Sequence, residues 1–251
     1  MKRRIALAVL CLTCIFQTAI AEDGFIDGIG YTFNGRTYTA IVDDRNQTCL
    51  KDSVIIPHFV LRESNGISYI VERVASQAFA GNKTIRYISF ADSRIRIIDS
   101  LAFADCTSLR EVVCRVGLKE IGDKAFTHCT SLAGLTIPDV FTTLGKRAFS
   151  YCASLSTLSI PSSLTAIADS AFFGCQKLSS IYLLWPKPDH GTVAAAAFGN
   201  ISPSCKVYPL DEYRANFADF WQGIPVAGNS FTFKTDEYSV ILNIEEKTAV
   251  L

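Results

Sequence analysis

The sequence contains a recurring cysteine, and thiols can form disulfides, bind metal ions or act as nucleophiles. The chain has nine cysteines in 251 residues, and four of them follow one another at intervals of 23 residues. These four are Cys106, Cys129, Cys152 and Cys175. Five others lie outside this spacing: Cys11 and Cys14 fall in the first residues of the chain, and the remaining three are Cys49, Cys114 and Cys205. The chemistry open to the regular cysteines depends on the elements that hold them.

The histidines give little support to catalysis. Only three occur, His58, His128 and His190. Asp189 and His190, in the segment WPKPDHG, could form an acid–base pair, but no third group completes a site and a polar loop is the better interpretation. The sequence contains no H-E-x-x-H motif, nucleophile elbow or Gly-rich phosphate loop. We therefore predict that the chain is not an enzyme, and we assign it no catalytic, cofactor-binding or metal-binding residue.

The regular cysteines belong to a longer repeat. An Ala-Phe pair recurs at steps of 24, 23, 23, 23 and 26 residues, and a Leu follows each regular cysteine by three residues. The apolar residues that come next alternate with polar or small ones, which predicts one short strand per unit. A fixed period in the twenties indicates a solenoid of stacked units. The pairs begin at Ala78, Ala102, Ala125, Ala148, Ala171 and Ala197.

A solenoid places the regular cysteines in one column. Equivalent residues of neighbouring strands lie about 4.8 Å apart with parallel side-chain directions. A disulfide needs Cβ atoms about 3.5–4.5 Å apart that face each other. Parallel ligands likewise do not converge on a metal ion. We therefore predict buried, unpaired thiols that pack as small apolar side chains. Cys114 is interpreted as a core residue of a strand, while the pairing of Cys49 and Cys205 stays open.

The first residues predict export. Lys2, Arg3 and Arg4 precede an apolar run from Ile5 to Phe16, and Ala19-Ile20-Ala21 follows. This order is typical of a secretory signal peptide, predicted over residues 1–21 with cleavage after Ala21. We predict no transmembrane segment, because no apolar run reaches the roughly 20 residues that a spanning helix needs. The expected location is extracellular, on the outer cell surface or in the periplasm.

The composition excludes some classes of protein. Hydrophobic residues make up 49% of the chain and charged residues 19%, which favours a packed core over disorder. Lys and Arg number 24, as do Asp and Glu, and no stretch forms a basic patch. Nucleic acid is therefore not an expected partner.

The unit A-F-x-x-C-x-x-L-x-x-L-x-I-P resembles the BspA-like leucine-rich repeats of secreted and surface proteins of Bacteroidetes. The resemblance implies a leucine-rich repeat solenoid, in which short strands stack in parallel and alternate with short helical turns. It also implies a β-rich N-terminal cap over residues 22–73, about five repeats over residues 74–200, and a strand-and-helix cap with a tail over residues 201–251. Caps are required because open solenoid ends would expose strand edges.

The strand residues that alternate with buried positions form an exposed sheet, which is a natural surface for a partner. Its middle is small and neutral, and aromatic residues lie near both ends. We predict that Tyr87, Tyr182 and Trp185 bind a partner, because Tyr and Trp are enriched at binding hot spots. Trp185 lies in the lengthened fifth unit, which is predicted to bulge as a loop. Shielding of strand edges near the caps is the alternative role for these aromatics.

The resemblance implies adhesion to host matrix proteins or to other cells. A second hypothesis is recognition of cell-surface polysaccharide, with Tyr182 and Trp185 stacking on sugar rings. A third is a structural accessory subunit of an envelope assembly. The expected partner is thus a protein or a polysaccharide.

Overall fold

The computed structural model describes residues 18–21, 24–26, 28–44, 49–90, 94–114, 117–228, 232–236, 239–244 and 247–250. Most of the predicted signal peptide lies outside these ranges. Its last four residues form a strand, and the signal peptide itself stays a prediction. Among the residues that the structure describes, none lies in a helix long and apolar enough to cross a membrane.

The N-terminal part of the chain is a sheet of short strands. The pairs β2–β3, β3–β4 and β6–β7 are antiparallel, whereas β1–β6 and β4–β7 are parallel. Tyr69 of β7 is buried and meets Phe33 of β3 edge to face, with ring centroids 4.8 Å apart. The strands of this sheet are β1 (Thr18–Ala21), β2 (Phe25–Ile26), β3 (Ile29–Asn34), β4 (Thr39–Val42), β6 (Phe59–Arg62) and β7 (Ile67–Val74). Strand β5 (Ser53–Ile55) comes between them in the sequence and belongs to another sheet.

Each repeat unit contributes two strands. The longer strands are β8 (Tyr87–Phe90), β10 (Glu111–Cys114), β12 (Gly134–Thr136), β14 (Thr157–Ile160) and β16 (Ser180–Leu183). The shorter ones are β9 (Ile97–Ile98), β11 (Glu120–Ile121), β13 (Thr143–Leu144), β15 (Ala166–Ile167) and β17 (Thr192–Val193). The short strands continue the parallel order of β7 without interruption, as β7-β9-β11-β13-β15-β17. The predicted solenoid is therefore confirmed.

The final part of the chain packs against the last units of the solenoid. Strand β18 (Lys206–Pro209) pairs with β16, and a 3-10 helix (Asp211–Asn216) follows it. The Arg214 guanidinium donates to the carbonyls of Ala227 and Phe217, at 2.9 and 3.0 Å, and so holds the segment that returns across β18. The remaining strands are β19 (Phe220–Trp221), β20 (Ile224–Pro225), β21 (Thr232–Asp236), β22 (Ser239–Ile244) and β23 (Lys247–Val250).

The longer strands form two parallel sheets, β5-β8-β10-β12 and β14-β16-β18. At the boundary Pro161 has no N–H to donate, whereas Leu184, the equivalent residue one unit later, donates its N–H to the carbonyl of Ile160 at 3.0 Å. Pro161, which follows β14, therefore removes one backbone hydrogen bond between the two sheets.

The Ala-Phe segments form hydrogen-bonded turns, and in the described part of the chain they contain no regular helix. Two columns of residues in each turn have left-handed backbone, with φ between 55° and 78°. This conformation directs alternate N–H groups towards the next unit instead of along a helix. The first column contains Gln77, Leu101, Lys124, Arg147 and Ser170. The second, four residues later, contains Gly81, Asp105, His128, Tyr151, Gly174 and, in the last unit, Asn200.

We call the resulting hydrogen bonds the turn ladder. In one unit Leu101, Phe103 and Asp105 donate their N–H groups at 3.0, 2.7 and 2.8 Å, and the acceptors are the carbonyls of Asp123, Ala125 and Thr127. The same three donors recur in the units of Phe79, Phe126 and Phe149. In the unit of Phe172, two such bonds occur within the described residues, from Phe172 and Gly174 to the next unit. All of these donors face the C-terminal end of the solenoid.

The core is built from two stacks that run along the solenoid. The six Ala-Phe rings lie nearly parallel, with centroids 5.0–5.6 Å apart and interplanar angles of 3–10°. Beside them each regular thiol donates to the carbonyl of the phenylalanine one unit earlier, at 3.0–3.3 Å. All seven cysteines of the described part of the chain are buried and free, as predicted for the regular four, and Cys49 and Cys205 are not paired.

Candidate partner-binding surface

The outward side of the longer strands, which we call the strand face, consists of two rows of residues in register. The middle of both rows is small, so the backbone of the sheet lies close to the surface there. One row carries an acidic residue towards its N-terminal end and a lysine at its C-terminal end. That row is Tyr87, Glu111, Gly134, Thr157, Ser180 and Lys206; the other contains Ile55, Ser89, Val113, Ser159, Tyr182 and Tyr208.

Tyr87 and Tyr182 lie on this face, in units near its two ends. Tyr87 is half-buried and pairs in register with Glu111. Tyr182 is only 7% exposed, because its ring packs against that of Tyr208 with centroids 5.4 Å apart. Burial raises the pKa of the Tyr182 phenol above its ordinary value, and the neighbouring Tyr208 adds to the rise. The phenol is therefore neutral at physiological pH.

Trp185 does not lie on the surface, so the prediction that it is exposed on a bulging loop is wrong. Its side chain is fully buried, and its Nε1–H donates to the carbonyl of Leu164 at 3.0 Å. The lengthened fifth unit folds back against the C-terminal cap. Asn216 and Trp221 donate their side-chain N–H groups to Pro186 and Pro188, at 2.8 and 3.2 Å. An apolar ring of this size is more stable beside the other rings of the cap than in water.

Sequence reasoning missed Tyr208, although a signal was present. The segment K-V-Y-P after Cys205 repeats the alternation of S-I-Y-L in β16, so extending the repeat by one unit would have found it. Tyr208 is half-buried and lies with Tyr182 at the C-terminal end of the strand face.

An exposed aromatic group on the turns was also missed. The rings of His128 and Tyr151 stack with centroids 4.9 Å apart, and Tyr151 meets Phe173 edge to face at 5.7 Å. Asp105 accepts from His128 Nδ1 at 3.2 Å. His128 and Tyr151 each stand directly before a regular cysteine. In the next unit this position is Gly174, where a Cβ atom would lie 2.7 Å from the Tyr151 ring, so the glycine leaves space for that ring. From the sequence alone, His128 is identified only as one of the three histidines.

The described residues bring no catalytic group together around the histidines. His190 Nε2 lies 2.8 Å from the carbonyl of Ser162, and Asp189 pairs with Lys187 at 3.5 Å. Among the described residues, no three His, Cys, Asp or Glu side chains could jointly hold a metal ion. Burial raises the pKa of the Cys106 and Cys175 thiols to about 12, so these thiols stay protonated. The prediction that the chain is not an enzyme stays a prediction.

Comparison with known proteins identifies a matching family and several solved structures with a similar fold. The family described as BspA type leucine-rich repeat region matches residues 71–201 in six copies. A leucine-rich repeat protein of T. pallidum is 25% identical, with a TM-score of 0.56, over 73% of this chain and 84% of its own. Among curated proteins, none matches the chain.

Two further solved structures share the fold. A leucine-rich cell surface protein of Faecalibacterium prausnitzii is 22% identical, with a TM-score of 0.61, over 89% of this chain. The present chain spans little more than half of that protein, 58% of its length. The pneumococcal vaccine antigen PcpA is 19% identical, with a TM-score of 0.57, over 75% of this chain and 46% of its own.

Proposed function

Because the chain belongs to the BspA-type leucine-rich repeat family, we propose that it is a secreted or cell-surface protein that binds a protein partner through the strand face. The proposed partner is a host matrix protein or a protein on another cell. The observation that carries the proposal is the arrangement of this face, with small residues in the middle and Tyr87 and the Tyr182–Tyr208 pair towards the ends.

This arrangement suits a protein partner for two reasons. The tyrosine pair is already ordered by its own packing, so little side-chain entropy is lost when a partner covers it. Glu111 and Lys206, both exposed and in the same row, offer opposite charges that select the orientation of the partner. Tyr87 and Tyr208 are therefore the proposed anchors. Tyr182, which is largely covered, orders Tyr208 by packing against it.

The polysaccharide hypothesis depended on open ring faces at Tyr182 and Trp185. Trp185 has no exposed surface and Tyr182 is largely covered by Tyr208, so neither ring offers a free face to a sugar. No observation favours polysaccharide over protein on this face. Protein binding is therefore the function that the geometry supports best.

The proposal is tested with a surface biosensor that presents a panel of matrix proteins and cell-surface polysaccharides to the chain. The Tyr87→Ala/Tyr208→Ala variant should bind at least thirtyfold more weakly to the matrix protein that the unmodified chain binds. This is the loss in affinity that removal of a hot spot of about 2 kcal/mol produces. Tyr151→Ala is the matched control, because Tyr151 is an exposed aromatic on the turns, away from the strand face. Its affinity should be unchanged.

Three results would contradict the proposal. Binding that Tyr151→Ala abolishes and the double variant retains would place the site on the turns. Saturable binding to a polysaccharide alone would restore the second hypothesis. No binding to any member of the panel by a folded chain would favour the role of an envelope accessory subunit.

A further inference from the structure

The turn ladder ends with donors that have no acceptor in the described part of the chain. In the unit of Phe149, Phe149 and Tyr151 donate their N–H groups to the carbonyls of Ala171 and Phe173, at 2.8 and 2.7 Å. In the last unit the equivalent donors are Phe198 and Asn200. Neither of their N–H groups donates a hydrogen bond within the residues described. The turn ladder thus ends with two N–H groups, two residues apart, that donate no hydrogen bond within the described residues.

A cleft lies at this end of the ladder. It encloses about 320 Å³, and both Phe198 and Asn200 line it. The hairpin of β19 and β20 forms the opposite wall, through Gly223, Ile224 and Pro225. We call it the end cleft. No charged side chain lines it, so the cleft suits a neutral acceptor better than an ion.

The chain itself shows what occupies this position elsewhere. In each of five interfaces between units, the donor of the Phe column meets the carbonyl of the next Ala, at 2.7–2.9 Å, and the next Phe ring stacks on the last one. Beyond Phe198 the segment that would supply this carbonyl is missing from the described chain. Backbone N–H groups beside an apolar wall are the features by which sheet edges capture extended peptides.

We infer that the end cleft binds a segment of another polypeptide, which adds one further turn to the solenoid. The ligand is an uncharged backbone stretch that presents two carbonyls, two residues apart, to the N–H groups of Phe198 and Asn200, with a small side chain at the first carbonyl. The Trp221 ring already packs against Phe198, so the ligand need not supply a ring there. This site is separate from the strand face and does not depend on the function proposed for that face.

The test uses a pentapeptide, SAFFG, with blocked ends, which copies residues 170–174 and carries no charge. This segment contains the carbonyls of Ala171 and Phe173 that fill the equivalent position on Phe149 and Tyr151. Amide hydrogen exchange of the full chain is followed by NMR with and without the peptide. The exchange of the Phe198 and Asn200 amides should slow at least tenfold at saturation. The amides of Phe149 and Tyr151, which are already bonded, should not change.

A pair of variants locates the peptide. Ala195→Trp fills the end cleft, because Ala195 is exposed and lines it. Peptide affinity, measured by fluorescence anisotropy, should fall at least tenfold. Lys146→Trp is the matched control: Lys146 is also exposed and holds the same place, three residues before the Phe, in a unit whose donors are occupied. Its peptide affinity should equal that of the unmodified chain, as should that of Tyr87→Ala/Tyr208→Ala.

Several results would overturn the inference. A scrambled peptide of the same composition that binds equally well would show apolar adhesion without recognition of the backbone. Unchanged exchange at Phe198 and Asn200 under saturating peptide would place the peptide elsewhere, whether or not Ala195→Trp folds. Protection of these two amides that rises with protein concentration alone would assign the cleft to a second copy of the chain instead of a foreign segment.

Discussion

The indole rings of Trp185 and Trp221 meet edge to face, with centroids 5.7 Å apart and an interplanar angle of 88°. Trp185 comes from the lengthened fifth unit and Trp221 from the C-terminal cap, so the contact joins two segments 36 residues apart in the sequence. Phe198, the last ring of the core stack, also lies 5.7 Å from Trp221. The cap is therefore held on the solenoid by aromatic packing that the insertion supplies.

Replacement of Trp185 by Ala should lower the free energy of unfolding by about 3–5 kcal/mol. The change leaves a cavity at a fully buried position and removes the donor to the Leu164 carbonyl. Urea unfolding followed by circular dichroism measures the loss. Phe220→Ala is the control, because the Phe220 side chain belongs to the same cap and is 64% exposed. The free energy of unfolding of this variant should stay within about 0.5 kcal/mol of that of the unmodified chain. Equal stability of the two variants would contradict the packing described here.

Replacement of Gly145 by Ala should destabilise the chain by about 1–3 kcal/mol, because neighbouring units approach too closely there for a methyl group. A Cβ atom at this position would overlap the backbone N of Asp123 and lie 2.5 Å from the carbonyl carbon of Gly122. Backbone atoms cannot move aside as a flexible side chain does. Gly35→Ala serves as the comparison, since a Cβ at Gly35 meets nothing within 4 Å. Thermal unfolding of both variants measures the difference in stability. A Gly145→Ala variant as stable as Gly35→Ala would show that the close approach of the units at Gly145 leaves room for a methyl group.

Stability should fall as the pH rises above about 9. Burial raises the pKa of the Cys106, Cys114 and Cys175 thiols from 9.0 to about 12 in the folded chain. Between these values the unfolded chain releases protons that the folded chain retains, so each such thiol lowers the free energy of unfolding by about 1.4 kcal/mol per pH unit. Below pH 9 both states are protonated and the thiols add no pH dependence. Unfolding midpoints between pH 7 and pH 10.5 measure the effect.

The thiol contribution is separated from that of other groups by Cys114→Val. Cys114 is a core strand residue with an apolar environment, so valine removes its titration while it keeps the position filled. At pH 10 the loss of stability relative to pH 7 should be about 1.4 kcal/mol smaller in this variant. An identical pH dependence in the two chains would show that the Cys114 thiol ionises as readily folded as unfolded.

The repeated part of the fold could be predicted from the sequence because the same local pattern recurs in several units and each copy supports the interpretation of the others. Six Ala-Phe pairs and four regular cysteines fix the period, and a column of parallel thiols excludes disulfides whatever the details of the turn. The left-handed backbone of the turns was not visible, because it falls on residues such as Leu101, Lys124 and Tyr151, whose types do not favour positive φ. Hydrogen bonds to the next unit impose it.

Positions that depart from the repeat were harder to interpret. Asn82 stands where later units have Cys, and the structure shows why it suits the first unit. Its Nδ2–H donates to the carbonyl of Cys49 at 3.0 Å, and its Oδ1 accepts from the N–H of Ile85 at 2.9 Å. Trp185 was misplaced for a related reason. The sequence shows the length of the insertion, but its direction depends on Trp221, a partner far along the chain.

The turn ladder also determines which changes of length the chain can absorb. Interfaces between 23-residue units repeat the same three bonds, so the gain or loss of one whole unit would leave every remaining interface as it was. The 26-residue step after Phe172 shows the effect of a partial insertion: the first donor of that turn, Ser170, makes no bond to the next unit within the described residues. The solenoid can thus lengthen or shorten by whole units while every remaining interface keeps its hydrogen bonds.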